Sequence, residues 1–390
     1  LEDRDTLKVL NLKSGKSRTI VPAELNYSYA DGDQWFEWSP DGKWFAVSFL
    51  SGERWATEVG LVPSSGEGEL VNITNSGYQD FVPRWALEGN AIYWATDRHG
   101  EREHAGHPGS FDVYTSFLNQ EAWDQFHFSE AEYDQLKEAK EEAEGEDKDS
   151  KKDKKKDEIK LPDPIDIQFE GMEDRHQRMT LHSTRMSDAL ITEDGEKVFY
   201  LAGYNKGFDL WSYEPRKQEL KLLTKIEAEN AGSMMFDKEE EKVFLLADSS
   251  IQTVELESGE TGSVALSAQM ELKPAAEREY LFEHMWRQTR EKFYLEDMHG
   301  VDWDFYKDAY QRFLPHIDNN VDFCEVISEL QGELNASHLG CYYRQQAPNG
   351  DATAALGIFP DLEYDKAGIR IAELMEGGPL TKVGSRVRVG

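Results

Sequence analysis

The chain has 390 residues, enough for two or three domains, and its 43 Lys and Arg against 76 Asp and Glu give a formal charge of −33. That balance excludes a nucleic-acid surface, which needs a basic stripe to displace counterions from phosphates, and it opposes docking on an anionic membrane. No run approaches 18 apolar residues, so no membrane insertion is expected, and two cysteines, Cys324 and Cys341, do not make a secreted disulfide framework.

Hydrophobic residues are lean at 39%, yet 10 Trp, 16 Tyr and 19 Phe supply enough apolar area for real cores. The chain opens on Leu1-Glu2-Asp3-Arg4, with no start Met and no signal-peptide pattern, so any such segment is expected to be missing or never to have been there. Leu7 to Leu12, a turn at Ser14-Gly15, and Arg18-Thr19-Ile20-Val21 predict two strands closing an earlier unit of a repeat.

Four segments then share one pattern: a short strand, an acidic or glycine turn, and a continuous apolar strand. Phe36-Glu37-Trp38-Ser39-Pro40-Asp41-Gly42 leads to Trp44-Phe45-Ala46-Val47, and Trp85-Ala86-Leu87-Glu88-Gly89-Asn90 leads to Ile92-Tyr93-Trp94-Ala95. Ile191-Thr192-Glu193-Asp194-Gly195 leads to Val198-Phe199-Tyr200-Leu201, and Phe236-Asp237-Lys238 leads to Val243-Phe244-Leu245-Leu246. The anchors Trp38, Trp85, Ile191 and Phe236 lie 47, 106 and 45 residues apart. The long middle gap is one period of about 46 residues plus an insertion.

Alternating strands continue the units at Phe111-Asp112-Val113-Tyr114, at Phe208 to Tyr213 and at Ile251-Gln252-Thr253-Val254. A fourth strand follows at Glu219 to Leu223 and at Thr261 to Ala265. Four strands per period of about 45 residues is the arithmetic of a β-propeller blade. The prediction is mainly β: a partial propeller of about four and a half blades over 1–270. A complete four-bladed ring and a twisted β-sandwich are the alternatives.

The run 137–158 holds ten acids and eight lysines, so it carries only −2 of the charge and leaves −31 on the rest. Lacking aromatic and β-branched residues, 137–160 predicts a disordered surface insertion entered through a helix over 129–143, with a single charged helix as the alternative. His99, Glu103, His104 and His107 are the one cluster with metal-ligand spacing. It falls where a blade loop belongs, and a polar loop is the preferred reading, so no metal is expected. His176 and His182 flank a predicted outer strand and are expected to face solvent. No phosphate-binding glycine loop or dinucleotide fingerprint occurs, and no cofactor is expected.

Near Pro274 the pattern changes to helical spacing. Phe282, Met285, Trp286 and Phe293 mark a helix over 275–297. Trp303, Tyr306, Tyr310, Phe313 and Leu314 mark a second over 302–316. Phe323, Val326, Ile327, Leu330 and Leu334 mark a third, with Asn320 or Asp322 as its cap. These three form a small bundle, a helical subdomain over 275–345. The third stripe ends in Gly332-Glu333-Leu334-Asn335-Ala336-Ser337-His338-Leu339-Gly340. An imidazole such as His338 can take a proton at neutral pH, and Ser337 can orient a neighbour. A capping or structural histidine fits the same spacing.

Propeller repeats with Ser-Pro-Asp-Gly turns, then His299-Gly300-Val301-Asp302-Trp303, then Glu333 to His338: this combination resembles the tricorn protease family, related to the C-terminal-processing peptidases. The resemblance implies a seven-bladed propeller, a helical subdomain, a PDZ-like domain and a second α/β core. It implies that His338 is the catalytic general base and Ser337 the adjacent serine of a catalytic tetrad. The nucleophilic serine and supporting glutamate would lie in the second core. No Gly-x-Ser-x-Gly elbow occurs in the 390 residues, so this stretch is expected to be inactive alone.

In the same frame, Leu356-Gly357-Ile358-Phe359 resembles a PDZ carboxylate-binding loop, and 352–390 the beginning of such a domain. The resemblance further implies oligopeptide or unfolded polypeptide substrates, a gating propeller and hexameric assembly, and two cysteines are compatible with a cytoplasmic location. A removed signal peptide would make that location periplasmic or secreted. The competing functional readings are a non-catalytic propeller and PDZ-like binding scaffold and, more distantly, a prolyl-oligopeptidase-type enzyme.

Overall fold

The computed structural model describes residues 5–26, 34–50, 56–101, 109–139, 163–204, 206–344, 355–382 and 384–390. The chain divides into two compact units, Leu1–Ser267 and Ala268–Gly390.

The first unit is built from a repeated turn. In Ser39-Pro40-Asp41-Gly42, the Ser39 hydroxyl donates to Asp41 at 2.6 Å, and Asp41 Oδ1 accepts the Lys43 amide at 3.0 Å. Ser39 Oγ also accepts the Trp44 amide at 2.9 Å, while Gly42 takes a φ of +67° that a side chain would strain. Thr192, Asp194 and Gly195 repeat the device: hydroxyl to carboxylate at 2.7 Å, carboxylate to the Glu196 amide at 3.0 Å, and φ +71° at the glycine. Asp237 makes a third version, accepting the Glu241 and Lys242 amides at 2.8 and 3.0 Å.

These turns join the first two strands of the first, third and fourth antiparallel four-stranded sheets, and a 3-10 turn at Leu87–Gly89 does so in the second. The first sheet is β3 (Phe36–Trp38), β4 (Trp44–Leu50), β5 (Thr57–Pro63) and β6 (Val71–Asn72), preceded by the two-stranded pair β1 (Leu7–Leu10) and β2 (Ser17–Val21). The second is β7 (Asp80–Ala86), β8 (Ala91–Thr96), β9 (Asp112–Phe117) and β10 (His176–Arg178). The third is β11 (Met186–Ile191), β12 (Val198–Ala202), β13 (Phe208–Glu214) and β14 (Glu219–Ala228). The fourth is β15 (Ala231–Phe236), β16 (Lys242–Ala247), β17 (Ser250–Glu255) and β18 (Thr261–Val264). This is a mainly β chain with four propeller blades and the two-stranded remnant of another, as the period implied.

In the first three blades the second strand is apolar on both faces because each face packs on a different neighbour, whereas β16 of the fourth buries only the face of Val243, Leu245 and Ala247. Ala91 and Tyr93 of β8 share a core with Met186, Val198 and Tyr200 of the third blade, whereas Ile92 and Trp94 share one with Ala46, Val59 and Leu61 of the first. On β12, Val198, Tyr200 and Ala202 face the second blade, while Phe199 and Leu201 face Met234, Val243 and Leu245 of the fourth. Phe45 and Val47 of β4 close on Leu7, Ile20 and Val21 of the half-blade. Each of these buried large side chains contributes about 1.5–3 kcal/mol.

Polar links register the blades. β7 and β15 carry bulges, at Phe81/Arg84 and Gly232/Met235, with Val82 and Ser233 at φ +57° and +53°. The freed amides find acceptors on the preceding blade: Val82 donates to Ser48 Oγ at 3.1 Å, and Met234 to Asp188 Oδ2 at 2.6 Å. Glu37 Oε2 likewise accepts the Trp85 amide at 2.9 Å, and burial raises its carboxyl above the usual range. Asp188 pairs through its other oxygen with Arg84 at 3.0 Å, and Arg84 also donates to the Ala189 carbonyl at 3.1 Å.

The long gap in the repeat falls inside the second blade, between β9 and β10. It begins with α1 (Gln120–Phe126), capped by Asn119, which accepts the Ala122 amide at 2.9 Å. A second helix, α2, covers 130–139, entered through a capping box in which the Ser129 amide donates to Glu132 at 2.9 Å. It rests on the third blade, where Tyr133 donates to the Asp194 carbonyl at 3.1 Å and Lys137 pairs with Glu196 at 3.3 Å. The remaining charged run, 140–160, lies outside the described residues.

Two histidines depart from expectation. His176 does not face solvent: it stands edge-on to Trp94 at 5.4 Å with Nε2 buried and unpartnered. Burial, and then the Arg98 cation, push its pKa down to about 4. His182 is half-buried and hydrogen-bonded to the Tyr204 hydroxyl. A three-residue strand such as β10 has too little alternation to declare its faces.

Asp188→Ala leaves the Arg84 guanidinium without its carboxylate and the Met234 amide without its acceptor, so urea unfolding should lose about 3–5 kcal/mol. Asp188→Asn, which retains an acceptor, should lose less; equal losses would refute the link. His176 binds its proton more weakly folded than unfolded, so its contribution is present above about pH 6.5 and fades as pH falls towards about 4. Between pH 7 and 4.5, wild type should lose up to about 3 kcal/mol more stability than His176→Gln. Parallel pH profiles would show that His176 is not buried neutral.

Candidate functional site

The second unit begins with α3 (Pro274–Lys292), α4 (Trp303–Gln311) and α5 (Asn320–Gly332). Asp302 caps α4 by accepting the Phe305 amide at 3.0 Å. Asn319 caps α5 by accepting the Asp322 amide at 2.9 Å, so the cap is one residue before the expected Asn320 and three before Asp322. The apolar stripes meet in one core of Phe282, Trp286, Met298, Trp303, Leu314, Phe323, Ile327, Leu330 and Leu334. Trp286 and Trp303 exchange bonds at its centre, each indole donating to the other's backbone carbonyl at 3.0 and 3.1 Å. Both rings are thereby fixed while their polar edges stay satisfied.

The segment after α5 is held at successive points. Tyr310 donates its hydroxyl to Glu333 at 2.7 Å, and burial, with that carboxylate beside it, pushes the phenol up to about 12. Leu334 is fully buried, and its carbonyl lies 2.8 Å from Nδ1 of His299. The opposite nitrogen of His299 meets the Tyr294 hydroxyl, and its ring stands edge-on to Phe293 at 5.1 Å. Further on, Ser328 Oγ accepts the Cys341 amide and donates to the Cys341 carbonyl, both at 2.8 Å. Leu339 and Cys341 pack back on the core.

Between these anchors the chain turns outward. Ser337 and His338 are exposed, and His338 takes φ +62° with Asn335 at φ +47°, a conformation that costs a non-glycine residue about 1–3 kcal/mol. Neither side chain makes a hydrogen bond among the described residues. The arrangement presents an imidazole with its nitrogens open, beside a hydroxyl, on a rigid support. His299, Tyr310 and Ser328 were not singled out in the sequence as supports of this turn. His299 stood there within a quoted motif, but its bond to Leu334 spans 35 residues and has no local signal.

The other candidates lie apart. His99 stacks on Tyr114 with Nε2 at 2.6 Å from the phenol oxygen, and Glu103, His104 and His107 lie outside the described residues. A cleft of about 640 Å³ in the first unit, lined by Tyr133, Lys137, Glu193, Asp194, Arg216 and Glu240, contains none of the expected site residues. Further along the second unit, β19 (Ile358–Pro360) and β20 (Ile371–Leu374) pair antiparallel. Gly357 precedes them at φ +65°, its carbonyl accepting the Met375 amide at 2.8 Å. Pro379–Thr381 forms a single 3-10 turn.

If His299 fixes the segment, His299→Ala should speed amide exchange across 333–338 roughly tenfold, the loss of about one buried hydrogen bond. His299→Gln should restore part of the protection. Unchanged exchange in the alanine variant would remove His299 from this role.

Residues 274–332 match the family model described as the tricorn protease C1 domain. A tricorn protease homolog of Saccharolobus solfataricus is 23% identical over 380 residues, aligning 91% of this chain with 33% of its own length. A putative tricorn-like protease C-terminal subunit of Sulfurisphaera tokodaii is 22% identical over 373 residues, 88% of this chain and 38% of that one. The chain thus spans about a third of the length of these curated relatives. The crystal structure of the tricorn protease superposes with a TM-score of 0.60 at 14% identity, covering 95% of this chain and 35% of that one, which shows a shared fold. No described helix is long and apolar enough to cross a membrane. The C1 match covers residues 274–332, and over most of its length the chain is similar to tricorn protease homologs.

Proposed function

We propose that these residues form part of a tricorn-like serine peptidase that degrades oligopeptides, with His338 as general base. The observation that carries this reading is the exposed Ser337-His338 turn, held at positive φ immediately beyond the C1 match and pinned on both sides. A nucleophilic serine supplied from outside the 390 residues would attack the peptide carbonyl. His338 would accept the serine's proton and return it to the leaving amine, while the Ser337 hydroxyl orients the site. An imidazole suits both transfers because its ordinary pKa lies near neutrality.

The propeller would act as a gate that admits unfolded chains. The strand pair β19 and β20, entered through Gly357, would begin a PDZ-like module that receives a chain terminus on backbone amides. Assembly into a homo-oligomer, hexameric as in the family, and a cytoplasmic location complete the proposal. Similarity to proteins named as tricorn protease homologs supports the reading.

The test uses the complete natural chain that contains these residues and a fluorogenic oligopeptide. His338→Ala should lower kcat/KM by about 10³–10⁴-fold or more, and Ser337→Ala by a smaller factor. The 390 residues alone should show no turnover. Undiminished activity of His338→Ala would discard the general base and favour a binding scaffold. His338-dependent turnover by the 390 residues would discard the split site.

A further inference from the structure

The two cysteines of the chain, 17 residues apart, bring their sulfurs to 2.6 Å on either side of the Ser337-His338 turn. An S–S bond is about 2.0 Å long, so bond formation needs a movement of about half an ångström. Cys324 sits on α5, whose Phe323, Ile327 and Leu330 are buried in the helical core, and it is therefore fixed. Cys341 is held opposite by the paired bonds of its amide and carbonyl to Ser328. Both residues are half-buried, accessible to a small reagent yet unable to swing apart freely.

We propose that Cys324 and Cys341 are a reversible disulfide site that covalently closes the segment carrying Ser337 and His338. The oxidant is a low-molecular-weight disulfide. One cysteine thiolate displaces half of it, giving a mixed disulfide and releasing a small thiol; the second thiolate then displaces the other half. Two protein S–H bonds and one small-molecule S–S bond are lost. One protein S–S bond and two small-molecule S–H bonds form, and both electrons go to the reagent. Burial, and then the neighbouring Cys324 sulfur, push the Cys341 thiol up to about 12.

The bond would tie the end of the turn to α5 and restrict its opening, because closing a loop of this length removes most of its unfolded freedom. What that does to catalysis rests on the reading of His338 as general base; the existence of the bond does not. A single linkage of this kind is compatible with a chain that has no disulfide framework, since cytosolic disulfides are usually transient.

The experiment treats the folded chain with oxidised glutathione, traps free thiols with iodoacetamide and maps unreduced peptides. The expected product is an intramolecular Cys324–Cys341 crosslink, removed by dithiothreitol, with amide exchange across 334–344 slowed roughly tenfold or more on oxidation. Cys324→Ser should show no such slowing under the same treatment. Glutathione retained on both cysteines, two alkylated thiols, or a crosslink only between chains would overturn the proposal. Peptidase activity is not read in these assays, so their failure is separate from any failure of the His338 reading.

Discussion

A backbone amide that a bulge or turn takes out of its ladder must still find an acceptor, because an unpaired one costs about 1–3 kcal/mol when buried. This chain meets that constraint largely with carboxylates and hydroxyls. Asp41, Asp194 and Asp237 close the blade turns, while Glu37, Asp188 and Ser48 receive the amides that register one blade on the next. Glu58 takes the amides of Ser76 and Gly77, and Asp209 those of Ile226 and Glu227. Part of the −33 charge is therefore internal to the architecture and is not simply a coat on the blades.

The second unit keeps carboxylate caps such as Asp302 on the Phe305 amide, and adds neutral side chains that satisfy backbone polar groups. Trp286 and Trp303 satisfy each other's carbonyls, Ser328 serves both polar atoms of Cys341, and His299 meets the Leu334 carbonyl. Four hydrogen bonds, from Tyr310 at Glu333 and His299 at Leu334 to the pair between Ser328 and Cys341, leave the middle of the segment unheld. The exposed positive-φ histidine sits there. The side chains around the turn are themselves held by hydrogen bonds, which locks their rotamers.

The repeat was legible because its physics is local. Hairpin turns with Asp-Gly, apolar second strands and a period near 46 all arise within a few residues of one another. The inter-blade acceptors were not, since Glu37 and Trp85 are 48 residues apart and their pairing depends on bulges with no sequence signature. The α5 stripe was visible, yet its cap was displaced because Asn319, Asn320 and Asp322 all have capping chemistry. His338 stood out by its chemistry and motif, whereas its exposure and strained φ come from long-range anchors. His176 failed for the opposite reason: short outer strands disclose little about what covers them.

The assignment of roles among the histidines is the core of this account, and acylation by diethyl pyrocarbonate under native conditions tests it most directly. Of the ten histidines, His338 has open nitrogens on an exposed turn, His299 has both nitrogens engaged, and His176 has its Nε2 buried and its pKa lowered by burial. Peptide mapping over time should show His338 among the fastest to react, with His299 and His176 protected until the chain unfolds. Protection of His338 in the folded chain, or modification of His299 at the same rate, would contradict the site described above.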